Sequence, residues 1–456
     1  MNVNYRYVAE ELSYLLNDAK ARGVVVHDRF APTLGAVLDD LGGVDLVIQV
    51  PDDSGEALLP GAVRWDDLLA EGDDEPIGDD VSPDDLYILY TGGTTGMPKG
   101  VLWRQHDIFV SAMGGRPFGA PEAYGSIEEI VAASANGGLN MMTAAPLMHG
   151  AAQWAAFNSF TSGGMLVLAP DPSRFDAETL VRVAAEERAT AIQVVGDAMA
   201  RPLIEVIERG DYDLSGLLAF TNGGAALSTG LKDRFLEAVP HAMVLDAVGS
   251  SETGAQMGHT SVKGATATGT FTPGPDTAVI SADMTRVLEP GDPEEGWLAQ
   301  RGHVPLGYLG DEAKTARTFP VIGGVRYSVP GDRARRPSAD VIELLGRDAQ
   351  TINTGGEKVF AEEVEQAIVN HPDVDDVMVV GRPDDRWGQA VVALVQLHPG
   401  TSPSVEEILE ETAKHVARYK LPRQIVFLDE LVRSPAGKAD YRWAKATAVE
   451  HASTEN

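Results

Sequence analysis

Cysteine is absent from all 456 residues of the sequence. The chain therefore cannot form a disulfide, a thiolate zinc site or a cysteine nucleophile. Any chemistry that needs a thiol must take that thiol from a small molecule that the protein binds.

Positive charge is also scarce, because 36 lysine and arginine residues face 68 aspartate and glutamate residues. The formal net charge of −32 repels nucleic-acid backbones and anionic membrane surfaces, so we expect neither as a partner. An anionic ligand would have to bind where cationic side chains and backbone N–H groups are locally concentrated.

Long apolar runs are missing as well, since none reaches the roughly 18 to 20 residues that cross a bilayer. The stretch 139–157 is interrupted by polar residues such as Asn140 and His149. Met1 to Leu12 shows no cationic stretch followed by an apolar core. We therefore expect a cytoplasmic protein with no transmembrane segment.

What the sequence does contain is an alternation of helical and strand-like patterns. Leu12, Leu15 and Leu16 share a helical face, and 23–27 is a β-branched run. Such alternation predicts an α/β fold. The acidic stretch 52–85, rich in proline and glycine, predicts a solvated connection.

The pattern changes after Gly346. Residues 360–370 predict a helix, two strand-like runs follow, and Ser404 with Glu407 fits a capping box that opens another helix. We expect residues 1–346 to form a large domain of several subdomains, with mixed sheets packed by helices. We expect residues 347–456 to form a small, mobile α+β domain.

Residues 90–100 read Tyr-Thr-Gly-Gly-Thr-Thr-Gly-Met-Pro-Lys-Gly. Glycines let backbone N–H groups approach phosphate oxygens, threonines supply hydroxyl donors, and Lys99 supplies a positive charge. The run is not a Walker A loop, because Gly96 is followed by Met97, and the chain contains no Gly-x-Gly. An ordinary turn is the alternative interpretation, but the composition favours a triphosphate site.

Seven further motifs follow along the chain, each of which alone would be an ordinary turn, cap or surface segment. They are Pro146-Leu-Met-His149-Gly150, Asn222-Gly223-Gly224-Ala225, Asp246-Ala-Val-Gly-Ser-Ser-Glu-Thr-Gly254, Tyr327-Ser-Val-Pro-Gly-Asp332, Gly346-Arg347, Ile352-Asn-Thr-Gly-Gly-Glu-Lys358 and Ser434-Pro-Ala-Gly-Lys438. With residues 90–100 they resemble the signature of the adenylate-forming superfamily. Trp103-Arg104 and the run 196–203 resemble actinobacterial long-chain and steroid-side-chain fatty acid CoA ligases.

This resemblance implies an AMP-forming acyl-CoA synthetase. Such an enzyme uses ATP and Mg²⁺ to adenylate a carboxylic acid and then passes the acyl group to coenzyme A. The implied ATP and AMP site comprises Thr91, Gly92, Gly93, Thr94, Thr95, Gly96, Gly223, Gly224, Ala225, Asp246, Ser251, Asp332 and Arg347.

The resemblance also implies which groups carry the chemistry. Glu252 would hold Mg²⁺, and Lys99 would neutralise phosphate charge. Lys438 would bridge the substrate carboxylate and the α-phosphate. His149 would gate the passage between the acyl pocket and the CoA channel.

The resemblance implies that coenzyme A contacts two residues of the C-terminal part. Gly356 would line the pantetheine tunnel, and Lys358 would lie near CoA. In the family the small domain rotates about a hinge, bringing the Lys438 loop in for the first step and the Gly356 strand in for the second. Ala349 and Gln350 stand where the family has acidic hinge residues, which implies a differently tuned hinge. Val248 stands where the family often has an aromatic residue that stacks on adenine.

The resemblance begins late in the family pattern, because residues 2–7 resemble a segment that an N-terminal piece normally precedes. We expect this to leave unpaired strand edges and apolar surface, which a homodimer or a partner chain would cover.

Two alternative functions stay open. One is an adenylating enzyme that loads a carrier protein, although Lys358 is compatible with free CoA. The other is an inactive nucleotide-binding regulatory subunit, which is suggested by the late start of the family pattern and by Ala349. The acyl chain is not determined, since one methylene changes discrimination by only about 1–3 kcal/mol.

Overall fold

The computed structural model describes residues 1–73, 75, 81–91, 97–117, 119–171, 174–224, 227, 229–347, 351–432 and 441–454. Helices and strands alternate through most of these residues, as an α/β chain requires. Among the described residues, no helix combines the length and the apolar character that a membrane span requires.

The α-helices within the described residues are α1 (Ala9–Asp18), α2 (Ala31–Gly35), α3 (Trp65–Glu71), α4 (Gln105–Ala112), α5 (Ile127–Ser134), α6 (Gly150–Thr161), α7 (Ala177–Glu186), α8 (Gly196–Glu208), α9 (Thr229–Ala238), α10 (Glu312–Thr318), α11 (Ala361–Val369), α12 (Val405–Thr412) and α13 (Tyr441–Glu450).

The strands in the same part of the chain are β1 (Gly23–His27), β2 (Leu46–Val50), β3 (Val63–Arg64), β4 (Leu86–Thr91), β5 (Lys99–Arg104), β6 (Met141–Thr143), β7 (Leu166–Val167), β8 (Ala191–Val194), β9 (Ala219–Gly223), β10 (Met243–Ser250), β11 (Gly254–Ser261), β12 (Thr270–Pro273), β13 (Thr277–Ile280), β14 (Asp292–Arg301), β15 (Gly307–Tyr308), β16 (Val321–Ile322), β17 (Val325–Ser328), β18 (Asp332–Arg336), β19 (Ile342–Arg347), β20 (Thr351–Thr354), β21 (Glu357–Phe360), β22 (Val374–Asp384), β23 (Gly388–Leu397) and β24 (Gln424–Phe427).

The largest sheet has the order β16-β17-β14-β18-β19-β12-β11-β10-β9-β8-β6-β7, with β13 paired to β14. Its half from β10 to β7 is parallel, and the other half is antiparallel. All four residues of β8 are buried, as a parallel strand covered on both faces must be. The carboxyl ends of β8, β9 and β10 therefore lie together at one edge, where ligands bind in open α/β sheets.

Three smaller sheets complete the fold, with the orders β1-β2-β3, β15-β5-β4 and β21-β20-β23-β22, to the last of which β24 adds beside β23. The last sheet and helices α11 to α13 share apolar cores that contain Val379, Val391 and Ala444. This unit begins at Thr351, four residues after the predicted boundary at 346/347. The division into two domains itself stays a prediction.

Two of the smaller sheets end in edge strands with exposed apolar residues. In the described part of the chain, β1 and β4 each pair on one side only. Val25 on β1 is 60% exposed and Leu86 on β4 is 48% exposed. A cleft of about 1640 Å³ lies beside both strands. The homodimer or partner chain that would cover such surface stays a prediction.

Most elements lie where the apolar pattern predicts them. Strand β1 has the predicted bounds, and α12 opens with the predicted capping box of Ser404 and Glu407. The stretch 52–85 differs, because it contains β3 and α3 besides the solvated connection. A two-residue strand is too short for an alternating pattern, and Leu69 of α3 is 63% exposed. Neither β3 nor α3 is therefore visible in the sequence as a regular spacing of apolar residues.

A buried ion pair joins α9 to β10. Lys232 Nζ lies 2.7 Å from Asp246 Oδ2, and the two side chains are 1% and 7% exposed. The Asp246 Oδ1 atom accepts a hydrogen bond of 2.9 Å from Asn222 Nδ2, on the neighbouring strand β9. Removing one partner of such a pair strands the other charge in a poorly solvated place.

We expect Lys232→Met to lower the free energy of unfolding by about 3–5 kcal/mol, because the Asp246 carboxylate would stay buried without its cation. Urea denaturation measures the change as a lower midpoint at an unchanged slope. Lys263→Met is the matched control, since Lys263 forms an exposed pair with Glu237 at 2.8 Å. Its loss should stay under about 1 kcal/mol, and equal losses would contradict the assignment.

Candidate active site

The predicted phosphate loop connects β4 to β5 as a hairpin. Thr91, the last residue of β4, pairs with Lys99, the first residue of β5. The Nζ atom of Lys99 lies 3.4 Å from Oδ2 of Asp311, the residue that caps α10. Residues 92–96, and with them Gly92, Gly93, Thr94, Thr95 and Gly96, lie outside the described residues, so their role stays a prediction.

Glu252 lies in the turn between β10 and β11 and is 9% exposed. The Tyr308 hydroxyl donates to its Oε1 atom at 2.7 Å. The Ser328 hydroxyl donates to the Glu252 carbonyl oxygen at 2.6 Å, and the Glu252 N–H donates to Ser250 Oγ at 3.2 Å. Backbone and carboxylate are thus both held, which gives a fixed anionic group at this sheet edge.

Two further contacts attach this turn to the hairpin. Trp103, on β5 and fully buried, donates from Nε1 to the carbonyl oxygen of Ser251 at 2.8 Å. Tyr308 lies on β15, where it pairs with Val101 of β5. The predicted metal ligand follows β10 of the largest sheet, and the predicted phosphate loop lies between β4 and β5 of another sheet. Trp103 and Tyr308 connect the two.

Lys314 on α10 adds a second cation to this cluster. Its Nζ atom lies 4.2 Å from the centre of the Tyr308 ring. Burial lowers the pKa of Lys314, and the charge of Lys99 acts in the same direction, whereas Glu252 and Asp311 oppose the shift. Lys99, Glu252 and Asp311 thus all influence the charge of Lys314.

The charge pattern suits a polyphosphate with a divalent cation. Lys99 and Lys314 offer ammonium groups to phosphate oxygens. Glu252 offers a hard carboxylate oxygen, the type of ligand that Mg²⁺ takes singly or in pairs together with substrate phosphates. The residues present therefore fit the metal that the sequence implies.

The turn at Gly223 and Gly224 ends β9 at the same sheet edge. Gly223 pairs with Ala247 of β10. Gly224 has a φ of +88°, a backbone conformation that favours glycine. A Cβ atom at Gly224 would lie 3.6 Å from Val195, which follows β8. Ala225 lies outside the described residues.

Asp332 and Arg347, predicted to contact ribose and phosphate, occupy facing positions on β18 and β19. Their placement puts both at the end of one antiparallel pair. Asp246, by contrast, is buried and contacts Lys232 and Asn222. Contact of these three residues with a nucleotide stays a prediction.

A second hairpin, between β20 and β21, approaches the edge from the C-terminal part of the chain. Gly355 and Gly356 form its turn with φ values of +57° and +84°, as a tight two-residue turn requires. A Cβ atom at Gly356 would lie 2.7 Å from Met199 Cε and 3.8 Å from Val195 Cβ. Val195 is thus a common neighbour of the Gly224 turn and the Gly356 turn.

His149 makes one of the polar contacts between the two parts of the chain. It precedes α6, and its Nε2 atom lies 3.0 Å from Glu357 Oε2, next to the Gly355–Gly356 turn. Burial would raise the pKa of Glu357, but the hydrogen bond to His149 and the charges of His149, Arg6 and Lys420 outweigh it and lower the pKa. Lys358 follows on β21 and pairs with Asn353.

Lys438 falls within 433–440, outside the described residues, so the predicted catalytic lysine is not located. Sequence reasoning missed Tyr308 and Lys314, which contact or face Glu252. Both lie more than 50 positions from Glu252 in a stretch without a glycine-rich motif. A tertiary contact of this kind leaves no local signal.

Solved structures with the same fold include an amide bond synthetase and a CoA synthetase. An amide bond synthetase from Marinactinospora thermotolerans superposes with a TM-score of 0.77 over 98% of this chain and 85% of its own, at 21% sequence identity. A double mutant of o-succinylbenzoate CoA synthetase from Bacillus subtilis gives a TM-score of 0.72 over 97% and 82%, also at 21% identity. At such identities the likeness establishes the fold.

Sequence comparison establishes the family. The model of the AMP-binding enzyme family matches residues 1–309, and that of the AMP-binding enzyme C-terminal domain matches residues 363–438. The chain belongs to the AMP-binding enzyme family.

Two relatives are similar to this chain over almost its whole length. The chain is 54% identical to the medium-chain acyl-CoA ligase Mig of Mycobacterium avium, over 98% of this chain and 82% of the relative. It is 40% identical to a 3-oxocholest-4-en-26-oate--CoA ligase of Rhodococcus rhodochrous, over 98% and 81%. The predicted resemblance to actinobacterial fatty acid and steroid-side-chain CoA ligases is confirmed.

We expect Trp103→Phe to lower the free energy of unfolding by about 1–3 kcal/mol, because the Ser251 carbonyl would lose its buried donor. Chemical denaturation measures this loss. Trp297→Phe is the control, since Trp297 Nε1 donates to Ala282 O at 3.1 Å in an exposed setting, where water replaces the donor. A loss at Trp103 no larger than that at Trp297 would contradict the bridging role.

Proposed function

We propose that this chain is an AMP-forming acyl-CoA synthetase that acts on a fatty or sterol-derived carboxylic acid, with Mg²⁺, ATP and coenzyme A. The observation that supports it best is the buried Glu252 carboxylate, which accepts a hydrogen bond from Tyr308; Lys314 lies over the Tyr308 ring, and Lys99 pairs with Asp311 at the start of α10. The acid class is inferred from two relatives, a medium-chain acyl-CoA ligase and a 3-oxocholest-4-en-26-oate--CoA ligase.

The first step joins two anions. An oxygen of the acid attacks the α-phosphorus of ATP, the bond from that phosphorus to the bridging oxygen breaks, and pyrophosphate leaves. Lys99, Lys314 and Lys438 would neutralise the charge that develops, in a preorganised site where charges act strongly. Glu252 would hold Mg²⁺, which when bound neutralises and orients the phosphates.

The second step replaces the nucleotide with a thiol. The sulfur of coenzyme A attacks the acyl carbon, the bond from that carbon to the phosphate oxygen breaks, and AMP leaves while the thiol proton passes to solvent. The Gly355–Gly356 turn packs on Met199 and Val195, beside the Gly224 turn. We assign this approach to the thiol step, with His149 and Glu357 at the gate and Lys358 near CoA.

A panel of fatty and sterol acids tests the proposal, with two readouts. We expect acid-dependent exchange of labelled pyrophosphate into ATP, and AMP release that depends on coenzyme A. A chain that binds ATP and gives no exchange with any acid would be the regulatory subunit instead. Release of ADP would also contradict the proposal.

We expect Glu252→Gln to lower the exchange rate about 10²- to 10³-fold, the typical effect of removing one preorganised electrostatic group. The amide oxygen can still accept the Tyr308 hydrogen bond, so the fold should be kept. Glu289→Gln, at an exposed position, is the control and should retain the rate.

We expect Lys438→Ala to lower adenylate formation by a similar factor of about 10²- to 10³-fold. Thioester formation from supplied acyl-AMP should change much less, because pyrophosphate has already left. Lys445→Ala, an exposed lysine on α13, is the control. Equal losses in the two half-reactions would refute the role of Lys438.

A further inference from the structure

One buried lysine joins the first helix of the chain to its C-terminal part. Lys420 Nζ lies 2.6 Å from Glu11 Oε1 on α1 and also forms an ion pair with Glu363 on α11. The three side chains are at most 4% exposed. Lys420 and Glu363 belong to the same C-terminal unit, so Glu11 is the partner contributed from outside it.

Aromatic rings close this cluster against water. The Tyr7 and Tyr419 rings lie 5.2 and 5.7 Å from Lys420 Nζ, within the range of cation–π attraction. Burial raises the pKa of Tyr7, and the charges of Glu11 and Glu363 raise it further. The ion pairs therefore act in a poorly solvated place, where charges interact strongly.

The contact surface between the N-terminal segment and the C-terminal unit also reaches the candidate active site. Arg6, just before α1, lies 2.9 Å from Glu357 Oε1, and Glu357 contacts His149 at 3.0 Å. The N-terminal segment thus holds the C-terminal unit at Lys420 and again beside the Gly355–Gly356 turn. A rotation of that unit would break both attachments together.

We propose that Glu11 and Lys420 are positioning residues for the thiol step: their buried ion pair selects the arrangement in which the Gly355–Gly356 turn lies against Met199 and Val195. This inference rests on the proposed function. A buried ion pair contributes little net stability compared with apolar packing, but breaking it in one arrangement disfavours that arrangement strongly. Loss of the ion pair therefore makes the arrangement that the thiol step needs less populated, and it leaves the arrangement that adenylation needs unaffected.

Glu11→Gln is the sharpest variant. Its amide oxygen can still accept the N–H of Val8, which now donates to Glu11 Oε2 at 3.2 Å, so the start of α1 is kept. We expect thioester formation from supplied acyl-AMP and CoA to fall at least about fivefold, the lower end of typical coupling between sites. Acid-dependent pyrophosphate exchange should be unchanged.

Glu10→Gln is the matched control, because Glu10 on the same helix pairs with His415 across the same contact surface at 3.0 Å but is 60% exposed. An exposed pair contributes little, so both half-reactions should keep their rates. If Glu11→Gln lowers both half-reactions equally, or lowers neither, the proposal is wrong.

A double-mutant cycle with Lys420→Met separates positioning from general destabilisation. The two substitutions share one interaction, the Glu11–Lys420 pair, so their effects on the thiol step should be less than additive. Additive losses would overturn the proposal, and if Lys420→Met does not fold, the split measured with Glu11→Gln decides. A wild-type chain that makes neither adenylate nor thioester would refute the proposed function itself. If the wild type is active but the variants lose both half-reactions equally, only the positioning role is refuted.

Discussion

A chain with a net charge of −32 can bind a polyphosphate only where its own field is locally reversed, and this constraint shapes the candidate site. Lys314 lies over the ring of Tyr308, whose hydroxyl binds Glu252, the carboxylate that would hold a phosphate-bound metal. Lys99 pairs with Asp311 at the start of the helix that carries Lys314. Because these groups are partly or fully withdrawn from water, their charges act more strongly than on the surface.

The second constraint is that two chemical steps must use one bound intermediate. The carboxyl ends of β8 and β9 present the Gly224 turn, and the C-terminal unit presents the Gly356 turn to the same neighbour, Val195. The contacts of Lys420 and Glu357 with the N-terminal part hold that unit in place. The fold therefore bears directly on the proposed mechanism, because a movement of the C-terminal unit would change which groups face the intermediate.

Local patterns predicted the fold well where they were long or carried a recognisable chemical signal. The capping box of α12 and the apolar run of β1 are examples. Lys99 and Glu252 were found through motifs, and contacts of Trp103 and Tyr308 connect the two sheets that carry them. Lys314 was not predictable, because only folding brings it near Glu252. Glu11 and Lys420 are 409 positions apart, and neither lies in a motif that points to the other.

The central claim is that charges from separate strands converge on one nucleotide, and a crystal structure of the chain with a hydrolysis-resistant acyl-AMP analogue tests it most directly. We expect the phosphate mimic to bind between the Ser251–Glu252 turn and Lys99 at the start of β5, with the ribose at Asp332. An analogue bound elsewhere, with Lys99 and Glu252 both out of contact, would contradict it.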